Sequence, residues 1–213
     1  VYMTLDSRLQ ESAHKNLNTQ LTNYHKRHGW IESPNFLNIF NLEELEQLKN
    51  LNSEFISLEI GLNSSFENND LLANKINSIF DNHPYYETHA KGIIVNMLDD
   101  TLYFLNERFE IKNIPWSSEY LWARNRLTIN EKGPAPKSFE DFLNIGDLIY
   151  LKKENQFLLL DQIPEAQASL ISLNPNTGSV EAYAGGLNFS KSNFDRVRLS
   201  YPQSGSSFKP FLY

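Results

Sequence analysis

The sequence predicts an α+β protein in which helices come first and short strands follow. Three observations predict it. Up to about residue 90, apolar residues recur every three or four positions, the period of a helix with one buried face. From Lys91 the period drops to two, the period of a half-buried strand. Gly, Pro, Asn and Asp clusters then mark turns between the short apolar runs.

Val1 to Leu5 alternate like a short strand, and Asp6 stands where a helix N-cap belongs. Leu5, Leu9, Ala13, Leu17 and Leu21 recur every four residues, with Tyr24 after them. They predict a helix of about 20 residues, stopped by Gly29. Asn41 and Glu44 have capping-box spacing at the start of a helix in "NLEELEQLKNL" (41–51), with Leu42, Leu45 and Leu48 or Leu51 inward. "EFISLEI" (54–60) fits a strand and a helical piece equally well. "NNDLLANKINSIFDNH" (68–83) predicts a further helix with Leu72, Ile76, Ile79 and Phe80 inward.

Three strand candidates come next: "KGIIVNML" (91–98), "TLYFLNE" (101–107) and "FEIKNI" (109–114). Asp99-Asp100 between the first two is a tight-turn signal. "IPWSSEYLWARN" (114–125) suits a short helix whose Trp116, Tyr120 and Trp122 pack on a sheet. Ser138 opens one helical turn, Gly146-Asp147 lead into a strand, and "QFLLLDQIP" (156–164) completes a hairpin. Five short strands with small helices between them resemble a small β-barrel of the OB type. "ASLISLNPNTGSVEAYAGG" (168–186) is a second hairpin, turned at Pro175 and Gly178 and ended by Gly185-Gly186.

Composition narrows the function classes. With 40% hydrophobic and 21% charged residues, the 213-residue chain can bury a core and is not wholesale disordered. The net charge is −7 and Lys and Arg are scattered, with "HKRHG" (25–29) the densest run, so nucleic acid is not the expected partner. There is no cysteine, which excludes disulfide scaffolds and thiolate metal sites. No apolar run approaches the roughly 18 residues of a membrane span. The five histidines, His14, His25, His28, His83 and His89, join no carboxylate pattern, and no metal or other cofactor is expected. Asp99-Asp100 and Glu43-Glu44 read as a turn and a solvated helix face rather than catalytic pairs.

One motif carries chemistry. In "GSSFKPF", Ser206 and Lys209 lie three apart, on one face of a helix. A serine hydroxyl needs a base to become a nucleophile, and a neutral lysine amine supplies one when burial or a nearby positive charge holds it uncharged. A helix start also aims N–H groups at an oxyanion. Ser206 is therefore the candidate nucleophile and Lys209 the candidate general base of an acyl transfer. The spacing alone is weak, since Ser12 and Lys15 share it on the first helix, and about one such match is expected by chance.

The neighbourhood of Ser206 is more specific. Asn174 to Gly178, Gly185-Gly186, Phe189 to Arg196 and Gly205 to Tyr213 stand in the order of the transpeptidase domain of class A penicillin-binding proteins, which the chain resembles. "MTLDSRLQESA" (3–13) and "EKGPAPKSFEDFLNIGDLI" (131–149) are similar to two upstream stretches of that family. Two departures are Asp195, where the family has Asn, and Pro202 to Gly205, where it has Arg-Gln-x-Gly. The family's Ser-x-Asn and Lys-Thr-Gly motifs have no counterpart after Tyr213, and "SPN" (33–35) lies far upstream of the nucleophile.

The resemblance implies a division into three parts. Residues 1–30 would be linker and the first strand and helix of the transpeptidase domain. Residues 31–166 would be an insertion of the penicillin-binding protein 1A group, OB-like from about residue 90. Residues 167–213 would be the start of an incomplete transpeptidase domain. It also implies a parent enzyme, anchored in the bacterial inner membrane on its periplasmic side. That parent would polymerise glycan from lipid II and cross-link D-Ala-D-Ala stem peptides through acyl-Ser206. It would be trapped by β-lactams and bear on cell shape and antibiotic resistance. A chain without the later motifs is expected to be inactive alone. The alternative is a non-catalytic OB-like module that binds an envelope regulatory protein or a glycan.

Overall fold

The computed structural model describes residues 3–32, 40–58, 70–86, 88–154, 157–187, 192–201, 205, 208–209 and 212; the side chains of 51–58 and 70 are not described. The chain divides into two compact units, Thr22–Glu165 and Val1–Leu21 with Ala166–Tyr213.

Helix α1, Ser7–His28, starts where its cap predicts. The Asp6 carboxylate accepts from the Arg8 and Leu9 N–H groups at 2.9 and 3.2 Å. Gly29, at φ +88°, ends it in a conformation that costs glycine least. Of the predicted stripe, Ala13, Leu17 and Leu21 are buried, while Leu5 and Leu9 are exposed. Residues 3–6 form no strand. They lie against the second hairpin instead, Thr4 Oγ1 donating to Val180 C=O at 2.6 Å and Asp6 N–H to Glu181 C=O at 2.9 Å.

In the first unit, α2 (Leu42–Leu58) and α3 (Asp70–Asp81) cover one face of a sheet. The capping box is present: Glu44 N–H donates to Asn41 Oδ1 and Asn41 N–H to Glu44 Oε2, both at 2.8 Å. Lys75 of α3 pairs with Glu44, tying the two helices together. The open reading of 54–60 resolves as helix as far as Leu58. Leu48 is fully buried, but Leu42 is 87% exposed because it opens the helix beyond the core.

The sheet consists of β1 (His89–Leu98), β2 (Thr101–Asn106), β3 (Ile111–Pro115), β4 (Leu148–Glu154) and β5 (Phe157–Asp161). Its order is β3-β2-β1-β4-β5, every neighbour antiparallel. Asp99 and Asp100 turn β1 into β2 with φ of 48° and 57°, the two positive angles a type I′ turn requires. A bulge at Val95 bends β1. The edge strands β3 and β5 approach within 8 Å, which curls the sheet into a half-barrel.

Successive residues of β1 serve two cores. Ile93 and Val95 pack with Leu48, Ile76 and Phe80 under the helices, and Ile94 packs inside the half-barrel with Trp30, Phe104 and Leu151. That is why β1 is buried on both faces. Tyr120 lies in the inner core with Trp116 and Trp122 against it. The flanking turns Ser118–Trp122 and Phe139–Asp141 are 3₁₀ rather than α. This mixed α+β architecture with a curled antiparallel sheet is the OB-like arrangement expected from the order of elements.

The second unit holds β6 (Leu170–Leu173) and β7 (Val180–Ala184), joined antiparallel, and the four-residue helix α4 (Arg196–Leu199). Leu17 and Leu21 of α1 pack with Ala184, Ala168 and Leu170. The Asn174 carboxamide oxygen accepts from the N–H groups of Asn176 and Thr177, which shapes the predicted turn.

Candidate functional site

The approach to the Ser-x-x-Lys motif is built at the end of β7. The Gln10 side chain completes the free edge of that strand: its Nε2 donates to Tyr183 C=O and its Oε1 accepts from Tyr183 N–H, both at 2.8 Å. The Tyr183 hydroxyl in turn donates to Asp195 Oδ2 at 2.6 Å. Asp195 Oδ1 caps α4, accepting from Val197 and Arg198 N–H at 3.1 and 3.3 Å. The Tyr183 hydrogen bond, with the capping N–H groups behind it, holds the Asp195 carboxyl below its ordinary range, and the same contact pushes the Tyr183 phenol up.

Gly185 is glycine because of this junction. A Cβ there would lie 2.7 Å from Asp195 Oδ1, while Arg196 N–H donates to Gly185 C=O at 2.9 Å. Arg196 fixes the preceding loop through Phe194 C=O (2.9 Å) and Ser192 Oγ (3.1 Å), with its guanidinium over the Phe194 ring. The Gly-Gly strand end, the loop Phe and the Arg, separate in sequence, thus meet at one joint. Asp195, the departure from the family pattern, does the capping there.

Beyond α4, Gly205 takes φ +47°. Ser206 lies outside the described residues. Lys209 is exposed, and its C=O accepts from Leu212 N–H at 2.9 Å. The base role asks for a desolvated amine, and the described residues do not bury Lys209. The other Ser-x-x-Lys pair, Ser12 and Lys15, is exposed on α1, with Asn16 Nδ2 donating to Ser12 Oγ at 3.2 Å. The "SPN" stretch (33–35) lies outside the described residues.

The histidines do not converge. His25 Nε2 bonds Gln162 Oε1 at 3.0 Å, and His28 and His83 bond backbone carbonyls at 2.7 Å. Burial pushes His25 below its ordinary value despite the Gln162 contact. Sequence reasoning missed four buried charged side chains among the described residues, Glu44, Lys91, Asp147 and Asp161. Asp161 sits 3.2 Å from Lys26 and 3.6 Å from His89. The Lys91 ammonium donates to Phe80 and His83 C=O at 2.7 and 3.2 Å, satisfying the end of α3, and pairs with Glu107. Polar residues in apolar strands, such as Lys91 in β1, were the available signal. Among the described residues, no helix is long and apolar enough to cross a membrane.

Residues 63–166 match the penicillin-binding protein OB-like domain. Penicillin-binding protein 1A of Vibrio cholerae is 27% identical over 218 aligned residues, covering 100% of this chain and 23% of that protein. Penicillin-binding protein 1A of Pseudomonas aeruginosa is 42% identical over 101 residues, which is 47% of this chain and 12% of the relative. The crystal structure of penicillin-binding protein 1A from Haemophilus influenzae shares the fold, with a TM-score of 0.65 and 23% identity over 100% of this chain and 26% of that one. The chain thus spans at most about a quarter of the length of these relatives. The OB-like match and the 1A relatives aligned from end to end support reading the chain as a fragment of a class A penicillin-binding protein of the 1A group.

Proposed function

We propose that this chain belongs to a bifunctional peptidoglycan synthase of the bacterial envelope and carries its acyl-serine nucleophile. Ser206 attacks the penultimate D-Ala carbonyl of a stem peptide while Lys209 takes the hydroxyl proton. D-Ala leaves with a proton on its amine, and an amine of a neighbouring stem then takes the acyl group from Ser206. A β-lactam mimics the D-Ala-D-Ala end and leaves Ser206 acylated. Glycan polymerisation from lipid II and an inner-membrane anchor belong to the same reading of the longer protein. The observation that carries it is the Gly205-Ser206-x-x-Lys209 motif, in a chain that a 1A relative covers from end to end. Labelling of the full-length protein by a fluorescent penicillin tests it. Ser206→Ala is expected to abolish the label, and a label that survives refutes the assignment.

A second reading is favoured by a separate observation. A groove of about 540 Å³ runs between the start of α2 and the 143–145 loop, lined by Leu42, Leu45, Met97, Leu143 and Ile145 with the acids Glu46 and Glu140. In this reading the OB-like unit docks an envelope regulatory protein. A pull-down from envelope extract checks it. A partner lost on Leu42→Glu supports it, and the absence of any envelope partner counts against it.

A further inference from the structure

The densest basic run of the sequence has no part in the chemistry assigned to Ser206 and Lys209. It forms the last turn of α1, His25 to His28. Cations there suit the helix dipole, which accounts for the helix but not for what the fold brings beside it. Trp30 N–H donates to Arg124 C=O at 2.7 Å, and Arg126 N–H to Trp30 C=O at 2.9 Å, so residues 124–126 run alongside the chain leaving the helix. Arg126 bridges to Lys132, whose ammonium donates to Arg27 C=O at 2.8 Å. A Cβ on Gly29 would meet Arg124 C=O at 2.4 Å and the Lys132 side chain at 3.2 Å, so the two stretches touch. Lys26, Arg27, Arg124, Arg126 and Lys132 therefore gather around Gly29, in a chain of net charge −7 with 19 Lys and Arg in all.

Two of the five have carboxylate partners: Lys26 pairs with Asp161 at 3.2 Å and Arg126 with Glu165 at 2.9 Å, while Arg124 Nε donates to Gly133 C=O at 2.8 Å. Arg27, Arg124 and Lys132 pair with no carboxylate among the described residues. Arg27 and Lys132 are exposed, and Tyr24 beside them, 44% exposed under the Arg27 guanidinium, adds an aromatic surface. Cations without a carboxylate partner beside an exposed aromatic ring fit a ligand that carries both carboxylates and sugar rings.

We propose that this surface binds the carboxylate-bearing stem peptides and sugars of peptidoglycan, giving the OB-like unit its own hold on the polymer. The proposal rests on the peptidoglycan reading above. It is tested by co-sedimenting the full chain with purified peptidoglycan sacculi. The chain is expected to sediment, and binding to weaken as salt rises. Arg27→Glu with Lys132→Glu is expected to weaken it by about tenfold, since each exposed cation contributes a few-fold. Lys112→Glu with Lys153→Glu, the same charge change elsewhere on the unit, is expected to leave it unchanged. Lys132 also holds Arg27 C=O. If the reversed pair loses its circular-dichroism signal, Arg27→Gln with Lys132→Gln makes the same comparison at a smaller effect. No sedimentation, or equal loss in both pairs, overturns the proposal. Equal binding to a DNA duplex or to phosphatidylglycerol vesicles overturns it too, by marking a general polyanion surface. Penicillin labelling of Ser206 is read independently, so failure here and failure of the acyl-serine assignment are distinguishable.

Discussion

Asp147 and Asp161 are both buried in the OB-like unit, at 3% and 2% exposure, and their surroundings push them in opposite directions. Asp147 Oδ2 accepts from Asn144 N–H at 2.8 Å, but Oδ1 has no hydrogen-bond partner. Burial pushes this carboxyl up to about 6. An acid raised in the folded state binds its proton there more readily than in the unfolded chain. Its contribution to stability therefore grows as pH falls from about 6 towards 4. Asp147→Asn keeps an acceptor for Asn144 and removes the buried charge, so at pH 7.5 it is expected to stabilise by about 2 kcal/mol. The gain should fade near pH 4, read from urea midpoints across the pH range; an unchanged midpoint at pH 7.5 contradicts this account. For Asp161, burial raises the carboxyl, but the His89 contact and the Lys26 charge outweigh it and the net effect is a lowering. Its contribution is present above the ordinary carboxylate range and is lost as pH falls through the lowered value. Asp161→Asn strands two partners, of which Lys26, 31% exposed, can turn to water. The expected cost is about 2 kcal/mol at neutral pH, below that of a fully buried pair.

The β1–β2 turn is the element whose sequence leaves most room for improvement. Asp99 and Asp100 both hold positive φ in a type I′ turn, where Asn-Gly fits with less strain. Asp99→Asn with Asp100→Gly is expected to stabilise by about 0.5–1 kcal/mol in a denaturant melt; destabilisation would mean that the aspartates hold the turn in some other way. At the second hairpin, Asp195→Ala removes the α4 cap and the Tyr183 partner together. It is expected to expose the 192–199 joint to proteolysis while leaving the OB-like unit intact. Local signals like these were legible: the caps at Asp6 and Asn41, the stop at Gly29, the Asp-Asp turn and the inward face of α3 depend only on near neighbours. Elements decided at long range were not. Residues 54–58 are helical as the continuation of α2, and Leu42 is exposed because no described element covers the first turn. Phe109 holds φ 58° while packing against the core under the helices, a strain no local pattern announces. Gln10 completes β7 from 173 residues away. The candidate site divides in the same way. Spacing alone could not separate Ser206–Lys209 from Ser12–Lys15; it is the order of surrounding motifs that favours the former. The Tyr183–Asp195–Arg196 joint appeared only in three dimensions.

The two units of the molecule differ in what holds them. The unit Thr22–Glu165 is one continuous stretch with two buried clusters, one on each side of β1. The other is assembled from both ends of the chain around a two-stranded sheet, with Leu17, Leu21 and Ala184 as its buried apolar cluster. Two strands alone are marginal in water, and stability follows buried apolar contact. Amides of β6 and β7 are therefore expected to exchange with solvent well before those of β1 and β4, and a urea melt should show two steps, the hairpin unit first. A single transition with uniform protection contradicts this ordering. The same imbalance bears on reactivity. Ser206 and Lys209 fall at the end of the weaker unit's stretch of sequence, and Lys209 stands in solvent among the described residues. A lysine base needs an environment that holds its amine neutral, so the 213-residue chain alone is expected to stay unlabelled by a fluorescent penicillin, in contrast to the labelling expected of the full-length protein at the proposed nucleophile Ser206. Labelling of the isolated chain at a comparable rate would mean that the residues described here already activate the serine. The burial argument for Lys209 would then be wrong.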